Sequence, residues 1–174
     1  MGNLAATSAR ALGATLSDAL LPLRADLLGD LTDGVERVVL VVVDALGWLQ
    51  LRRAMARYPD LVFHKLSASG RMLPITTTFA STTTSVLNTI WSGQPPIRHG
   101  VLAYEMFLRE WLMAVESISF STTHEPFGER LLDWGFEPEK FVPTPTLGMQ
   151  LAVQGLGSYA LTFKNYLETP LALM

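Results

Sequence analysis

Two groups of polar residues in the chain have the types and the order needed for chemistry on a phosphate. Asp44 ends an apolar run, Val38–Val43, and a hydroxyl-rich block follows at Thr76–Ser85. A carboxylate is a hard oxygen ligand that suits a divalent cation. A helix beginning at the hydroxyls would offer unpaired amides to a phosphate. The pair therefore suggests a site for a metal ion and a phosphate.

Each of these features also has a purely structural interpretation. Asp44 could stabilise the positive end of the following helix, and position alone does not separate this role from metal binding. The hydroxyl block could be a Thr-rich strand followed by a helix cap, which needs no chemistry. A lone histidine is more often structural than catalytic, and this applies to His64, His99 and His124.

The elements around the polar residues alternate between strand and helix patterns. Val38–Val43 is β-branched and uniformly apolar, as in a central parallel strand covered on both faces. Gly47–Tyr58 and Thr82–Trp91 have helical patterns, whereas Leu61–Leu66 and Arg71–Thr77 are strand candidates. The order predicts an α/β fold in one domain, residues 1–174, with a mostly parallel sheet flanked by helices.

Further elements are predicted along the rest of the chain. They are two strands within Leu102–Phe120, a helix over Pro126–Trp134, a strand at Phe141-Val142, a helix over Leu147–Val153 and a strand over Tyr159–Phe163.

Composition excludes several classes of protein. Hydrophobic residues make up 49% and charged residues 17%, which is typical of a globular chain. The net charge is −3 with no basic block, which argues against a nucleic-acid surface. Met1–Leu23 lacks the pattern of a signal peptide, and the apolar run at Val38 is far shorter than the roughly 20 residues that span a bilayer. We expect a soluble, cytoplasmic protein without a membrane span.

Four motifs in this order resemble the alkaline phosphatase superfamily, in particular its type I phosphodiesterase/nucleotide pyrophosphatase branch. They are Val41-Val42-Val43-Asp44-Ala45-Leu46-Gly47, Phe79-Ala80-Ser81-Thr82-Thr83-Thr84, Trp91-Ser92-Gly93, and Pro96 followed by His99-Gly100-Val101. The resemblance covers about Val38 to Glu110 well and the remainder weakly.

The resemblance implies a hydrolase of phosphodiesters or nucleotide pyrophosphates, small-molecule substrates, that works through a phosphothreonine intermediate. Asp44 would be a ligand of one of two divalent cations, usually zinc. The nucleophile, also a metal ligand, would lie ten residues before the glycine that ends its helix. Counting back from Gly93 gives Thr83, and Thr78 is the competitor, although it would need a five-residue insertion in the helix. His99 would belong to a structural turn.

The chain departs from the family pattern after its first half. The family's other metal ligands are aspartates and histidines in later segments, but no histidine follows His124 and no aspartate follows Asp133. The last residues, Thr169–Met174, resemble the middle of a domain. We therefore expect the N-terminal portion of a larger catalytic domain, cut short and with an incomplete metal site.

Two other functions are compatible with the pattern. One is a non-catalytic α/β domain for binding or assembly that keeps the fold without the full metal site. The other, a dinucleotide-binding domain, is weaker, because the turn Asp44-Ala45-Leu46-Gly47 contains no Gly-x-Gly-x-x-Gly. The sequence gives no indication of the oligomeric state.

Overall fold

The computed structural model describes residues 1–124 and 130–162. The helices in this part of the chain are α1 (Asn3–Ala11), α2 (Ala25–Leu28), α3 (Trp48–Arg57), α4 (Val62–Ser69), α5 (Thr83–Ser92), α6 (Pro96–His99), α7 (Pro138–Phe141) and α8 (Leu147–Ala152). The strands are β1 (Glu105–Leu108), β2 (Met113–Glu116) and β3 (Ser121-Thr122), and Leu131–Trp134 forms a 3-10 turn.

The sheet is small and antiparallel, so the prediction of a mostly parallel sheet is wrong for the described chain. Its strand order is β1-β2-β3, and Glu105 pairs with Glu116 across the first hairpin. Two consecutive strands joined by a short turn pair antiparallel, whereas two parallel neighbours must be joined by a long crossover connection. The described residues are mixed helix and antiparallel sheet, which is consistent with a partial α/β domain.

Val38–Val43, predicted as a buried central strand, forms no strand in the described structure, so this prediction is wrong. No backbone hydrogen bond joins it to another segment of the described chain. Its side chains are between 38% and 84% exposed, with Val39 the most exposed. A parallel strand covered on both faces needs neighbouring strands and helices, and the described residues supply neither to this run.

Some of the predicted helices and strands are confirmed and others are wrong. The helices over Gly47–Tyr58, Thr82–Trp91 and Leu147–Val153 are confirmed as α3, α5 and α8, and both strands within Leu102–Phe120 are confirmed. The strands predicted at Leu61–Leu66 and Phe141-Val142 are wrong, because α4 and α7 occupy these positions.

The His64 ring contacts the carbonyl oxygens of Met55 and Tyr58, at 3.0 and 3.2 Å, and so ties α4 to the end of α3. Arg71–Thr77 forms no strand, and neither do residues 159–162. The N-terminal part of Pro126–Trp134, the end of Tyr159–Phe163 and Thr169–Met174 lie outside the described residues.

Most of the buried side chains of helix α5 are polar. Its apolar residues Val86 and Leu87 are only partly covered. The buried positions besides Ile90 are Thr84, Ser85, Asn88, Thr89 and Ser92. Most of these groups find partners: Asn88 donates to the Thr84 carbonyl at 3.0 Å, and the Ser92 hydroxyl donates to the Asn88 carbonyl at 2.6 Å. Such bonds offset the cost of removing polar groups from water.

The end of α5 is fixed by a glycine and a histidine. Gly93 has a φ of 69°, and a Cβ there would lie 3.0 Å from the Ala19 Cβ, so both conformation and space favour glycine. The fully buried His99 ring accepts the Val101 N–H at Nδ1 (3.2 Å) and therefore donates from Nε2 to the Thr89 hydroxyl (2.9 Å). His99 thus joins α5 to the turn after α6, as the structural interpretation predicted.

The apolar core lies against the sheet. Its buried members are Leu108, Val115, Phe120, Leu131 and Phe136. The rings of Phe120 and Phe136 stack with centroids 4.7 Å apart. This cluster gives the hairpin a rigid base, because packed apolar side chains leave little room for movement.

Replacing Leu131 with alanine should lower the free energy of unfolding by about 2–5 kcal/mol, because the leucine is fully buried in this core. Urea unfolding of the 174-residue chain measures the loss. The matched control is Leu21→Ala, since Leu21 is 80% exposed and should cost well under 1 kcal/mol. Equal losses from the two variants would contradict the burial of Leu131 in this core.

Burial lowers the pKa of His99 from 6.5 to about 4. Between these values the unfolded chain takes up a proton at this position and the folded chain does not. The contribution of His99 to the free energy of unfolding should therefore be fully present above pH 6.5. It should decrease as the pH drops towards 4, by at most about 3 kcal/mol. Urea unfolding measured at intervals over this range follows the change.

The variant His99→Gln isolates this contribution. It should unfold more easily at neutral pH yet lose less stability than the natural chain between pH 6.5 and 4. The partly buried His64 provides the control, and His64→Gln should keep the pH dependence. An unchanged pH dependence in His99→Gln would show that other groups cause it.

Candidate functional site

Asp44 directly follows the Val38–Val43 run, on a turn with an unusual backbone. The residue after it, Ala45, has a φ of 58°. This left-handed conformation costs an L-residue with a Cβ on the order of 1 kcal/mol. The Ala45 N–H donates to Asp44 Oδ1 at 2.9 Å, which fixes the carboxylate while leaving Asp44 exposed to solvent.

Thr83 is the first residue of α5, in the position where a helix presents unpaired amides. The preceding residue, Thr82, is extended with φ −89° and ψ 150°, and its side chain accepts no capping hydrogen bond. Within the described chain, the amides of Thr83, Thr84 and Ser85 make no backbone hydrogen bond. A helix start of this kind favours a negatively charged group.

The two predicted residues are in contact, although 39 positions separate them. The Thr83 hydroxyl donates to Asp44 Oδ2 at 3.1 Å. Thr78, the competing candidate nucleophile, instead donates to the Ala80 carbonyl at 3.1 Å. Of the two threonines, Thr83 is the one that meets the carboxylate.

Asp44 is exposed to solvent and Thr83 is half-buried. Two cavities on the described surface lie along α3 and between Thr15–Ser17 and α8, and neither is lined by Asp44 or Thr83. An anion approaching Thr83 would therefore reach a solvent-exposed carboxylate and a helix start, with no enclosing wall contributed by these cavities.

The oxygens of Asp44 and Thr83 suit a hard divalent cation. However, the described residues contain no group of three or more His, Cys, Asp or Glu side chains that could hold a metal ion. The described residues therefore fit part of a cation's ligand shell and do not complete a centre for two cations.

Three residues near the site were not singled out from the sequence as contributors to it. Ala45 carries the left-handed turn, where the sequence shows only an ordinary residue. Ser85 is fully buried and its hydroxyl has no hydrogen-bond partner. Ser117 lies behind α5, and no short-range pattern links it to Thr83. Helical periodicity from Thr83 could have predicted that the Ser85 side chain is buried. No local sequence pattern predicts that Ser117 lies against α5.

Comparison with known proteins identifies the family but no individual relative. The family model for type I phosphodiesterase/nucleotide pyrophosphatase matches residues 38–149, more than half of the chain, including both Asp44 and Thr83. No curated protein matches, and no solved structure matches. Among the described residues, no helix combines the length and apolar character needed to cross a membrane. The chain belongs to the type I phosphodiesterase/nucleotide pyrophosphatase family, within the alkaline phosphatase superfamily.

Proposed function

We propose that the chain supplies the nucleophile Thr83 and the neighbouring carboxylate Asp44 to a metal-dependent hydrolase of phosphate esters. Family membership supports the reaction class, and the substrates would be phosphodiesters or nucleotide pyrophosphates. The observation that carries the assignment is the 3.1 Å hydrogen bond between Thr83 Oγ1 and Asp44 Oδ2 at the start of α5. Thr78 remains the competing nucleophile.

The reaction would proceed by two displacements at phosphorus. In the first, a bond forms between Thr83 Oγ and phosphorus while the bond to the leaving alcohol breaks. The Thr83 proton passes to Asp44, its hydrogen-bond acceptor, and the leaving oxygen takes a proton from solvent. In the second, water attacks the phosphothreonine, the bond between phosphorus and Thr83 Oγ breaks, and Asp44 returns its proton to Thr83 Oγ while the proton of the water goes to solvent. The free amides at the start of α5 would hold a phosphoryl oxygen in both steps.

The two divalent cations, with zinc as the expected ion, belong to the same proposal. Asp44 and Thr83 would provide two oxygen ligands. The remaining ligands would have to come from outside the described residues, since these contain no cluster of three metal-binding side chains.

The two candidate nucleophiles can be separated by substitution. With bis(p-nitrophenyl) phosphate as substrate and zinc added, Thr83→Ala should lower kcat at least about 100-fold, because the bond-forming oxygen is lost. Asp44→Asn should lower it comparably, while Thr83→Ser should keep part of the activity. Thr78→Ala is the matched control and should leave kcat near that of the natural chain.

The outcomes of this experiment are distinct. Loss of activity in Thr78→Ala with retention in Thr83→Ala would transfer the nucleophile to Thr78. Absence of hydrolysis by the natural chain would overturn the catalytic proposal and favour the non-catalytic α/β domain. The incomplete set of metal ligands among the described residues is the observation that favours this second function.

A phosphothreonine intermediate should be detectable directly. Rapid acid quenching during turnover should trap a chain heavier by the retained phosphoryl group, and mass spectrometry of its peptides should place the group on Thr83. The Thr83→Ala chain should show no such adduct. An active natural chain that yields no adduct under conditions where hydrolysis is slowed would indicate direct attack by water instead.

Several expectations about the wider context remain predictions. These are a single domain over residues 1–174, a location in the cytoplasm and the absence of a nucleic-acid partner. The net charge of −3 without a basic block supports the last of them.

A further inference from the structure

A cluster of buried hydroxyls lies directly behind Thr83. The next residue, Thr84, is fully buried, and its hydroxyl lies 2.9 Å from the Ser117 hydroxyl and 3.2 Å from the Ala103 carbonyl oxygen. Ser117 is also fully buried, and its hydroxyl reaches the carbonyls of Ala103 at 2.7 Å and Tyr104 at 2.9 Å. Two side chains that are far apart in sequence thus meet in a site closed to solvent.

The hydroxyl hydrogens available in this cluster limit which group can donate to which acceptor. Each hydroxyl has one hydrogen to donate and can accept through its lone pairs. One of the two hydrogens joins the hydroxyls to each other and the other is directed at a backbone carbonyl, with Ala103 within reach of both side chains. Either assignment connects the first turn of α5 to the backbone at Ala103-Tyr104.

Ser117 is itself held firmly by the sheet. It follows β2 directly, and its N–H donates to the Tyr104 carbonyl at 2.7 Å, which extends the pairing of β1 and β2 by one residue. The same hairpin carries Leu108 and Val115 into the apolar core. The cluster therefore fixes the start of α5 relative to the packed hairpin.

We propose that Ser117, acting through Thr84, is a positioning residue that sets the place of the Thr83 hydroxyl relative to Asp44. Both cluster residues are fully buried, so neither contacts a substrate. The proposal rests on the proposed function only in making Thr83 the reacting group. Its structural part, a link between Ser117 and the Thr83–Asp44 pair, can be tested without turnover.

The structural part is tested by NMR on the isotope-labelled 174-residue chain. Ser117→Ala and the nearly isosteric Thr84→Val should both shift the Thr83 amide signal and the Asp44 side-chain carboxyl signal, because each removes the link to the hairpin. Thr84→Ser keeps the hydroxyl and should retain the natural shifts. This conservative variant guards against the possibility that one substitution simply prevents folding.

The matched control is Ser121→Ala. Ser121 is a buried serine of the same sheet, and its hydroxyl lies 2.6 Å from the Ser119 hydroxyl. Its removal should leave the Thr83 and Asp44 signals in place. Unmoved signals in both Ser117→Ala and Thr84→Val, or equal movement in Ser121→Ala, would overturn the proposal.

Kinetics supply the second measurement. Ser117→Ala should lower kcat about 10- to 100-fold with little change in KM. A displaced Thr83 hydroxyl is poorly aligned for attack on phosphorus, whereas the groups that bind the substrate are unchanged. If Thr83→Ala leaves hydrolysis unchanged, the proposed function fails while the NMR comparison still decides the link. If Thr83→Ala abolishes hydrolysis but Ser117→Ala alters neither kcat nor the signals, only the positioning role fails.

Discussion

The hydrogen bonding of the polar face of α5 is the constraint on which the rest of the structure depends. A helix buried through apolar side chains can rotate or slide at modest cost, whereas a helix buried through hydroxyls and an amide must keep each bond. Here Thr84 is tied to Ser117 and Thr89 to His99. These contacts fix the direction of the helix and so the place of its half-buried first residue.

Local signals account for the parts of the fold that could be predicted. Helix α5 follows from hydroxyls at its start and a glycine at its end, and the β1–β2 hairpin follows from two short strands around Arg109-Glu110. The mostly parallel sheet was predicted wrongly for the described residues, because a β-branched run such as Val38–Val43 favours extended backbone but does not specify its partners. Leu61–Leu66 shows that a short apolar run is ambiguous between strand and helix.

The site was predicted in part for a similar reason. Asp44 and Thr83 could be named because each stands at the boundary of an element, where side chains reach solvent and backbone groups are unpaired. Their contact across 39 positions is a tertiary fact that the family pattern suggested and periodicity could not. Ser117 gave no signal, since a single serine after a strand is unremarkable until the fold places it against α5.

The exposed Val38–Val43 run has a consequence for how the chain behaves at high concentration. Five valines and one leucine without charge or proline form the kind of segment that stacks into cross-β ladders when its backbone is unpaired. The flanking charges, Arg37 and Asp44, lie at either end and would act as gatekeepers against such stacking. Asp44 therefore combines a contact with Thr83 and a charge at the end of this apolar run, the position at which gatekeeper residues act.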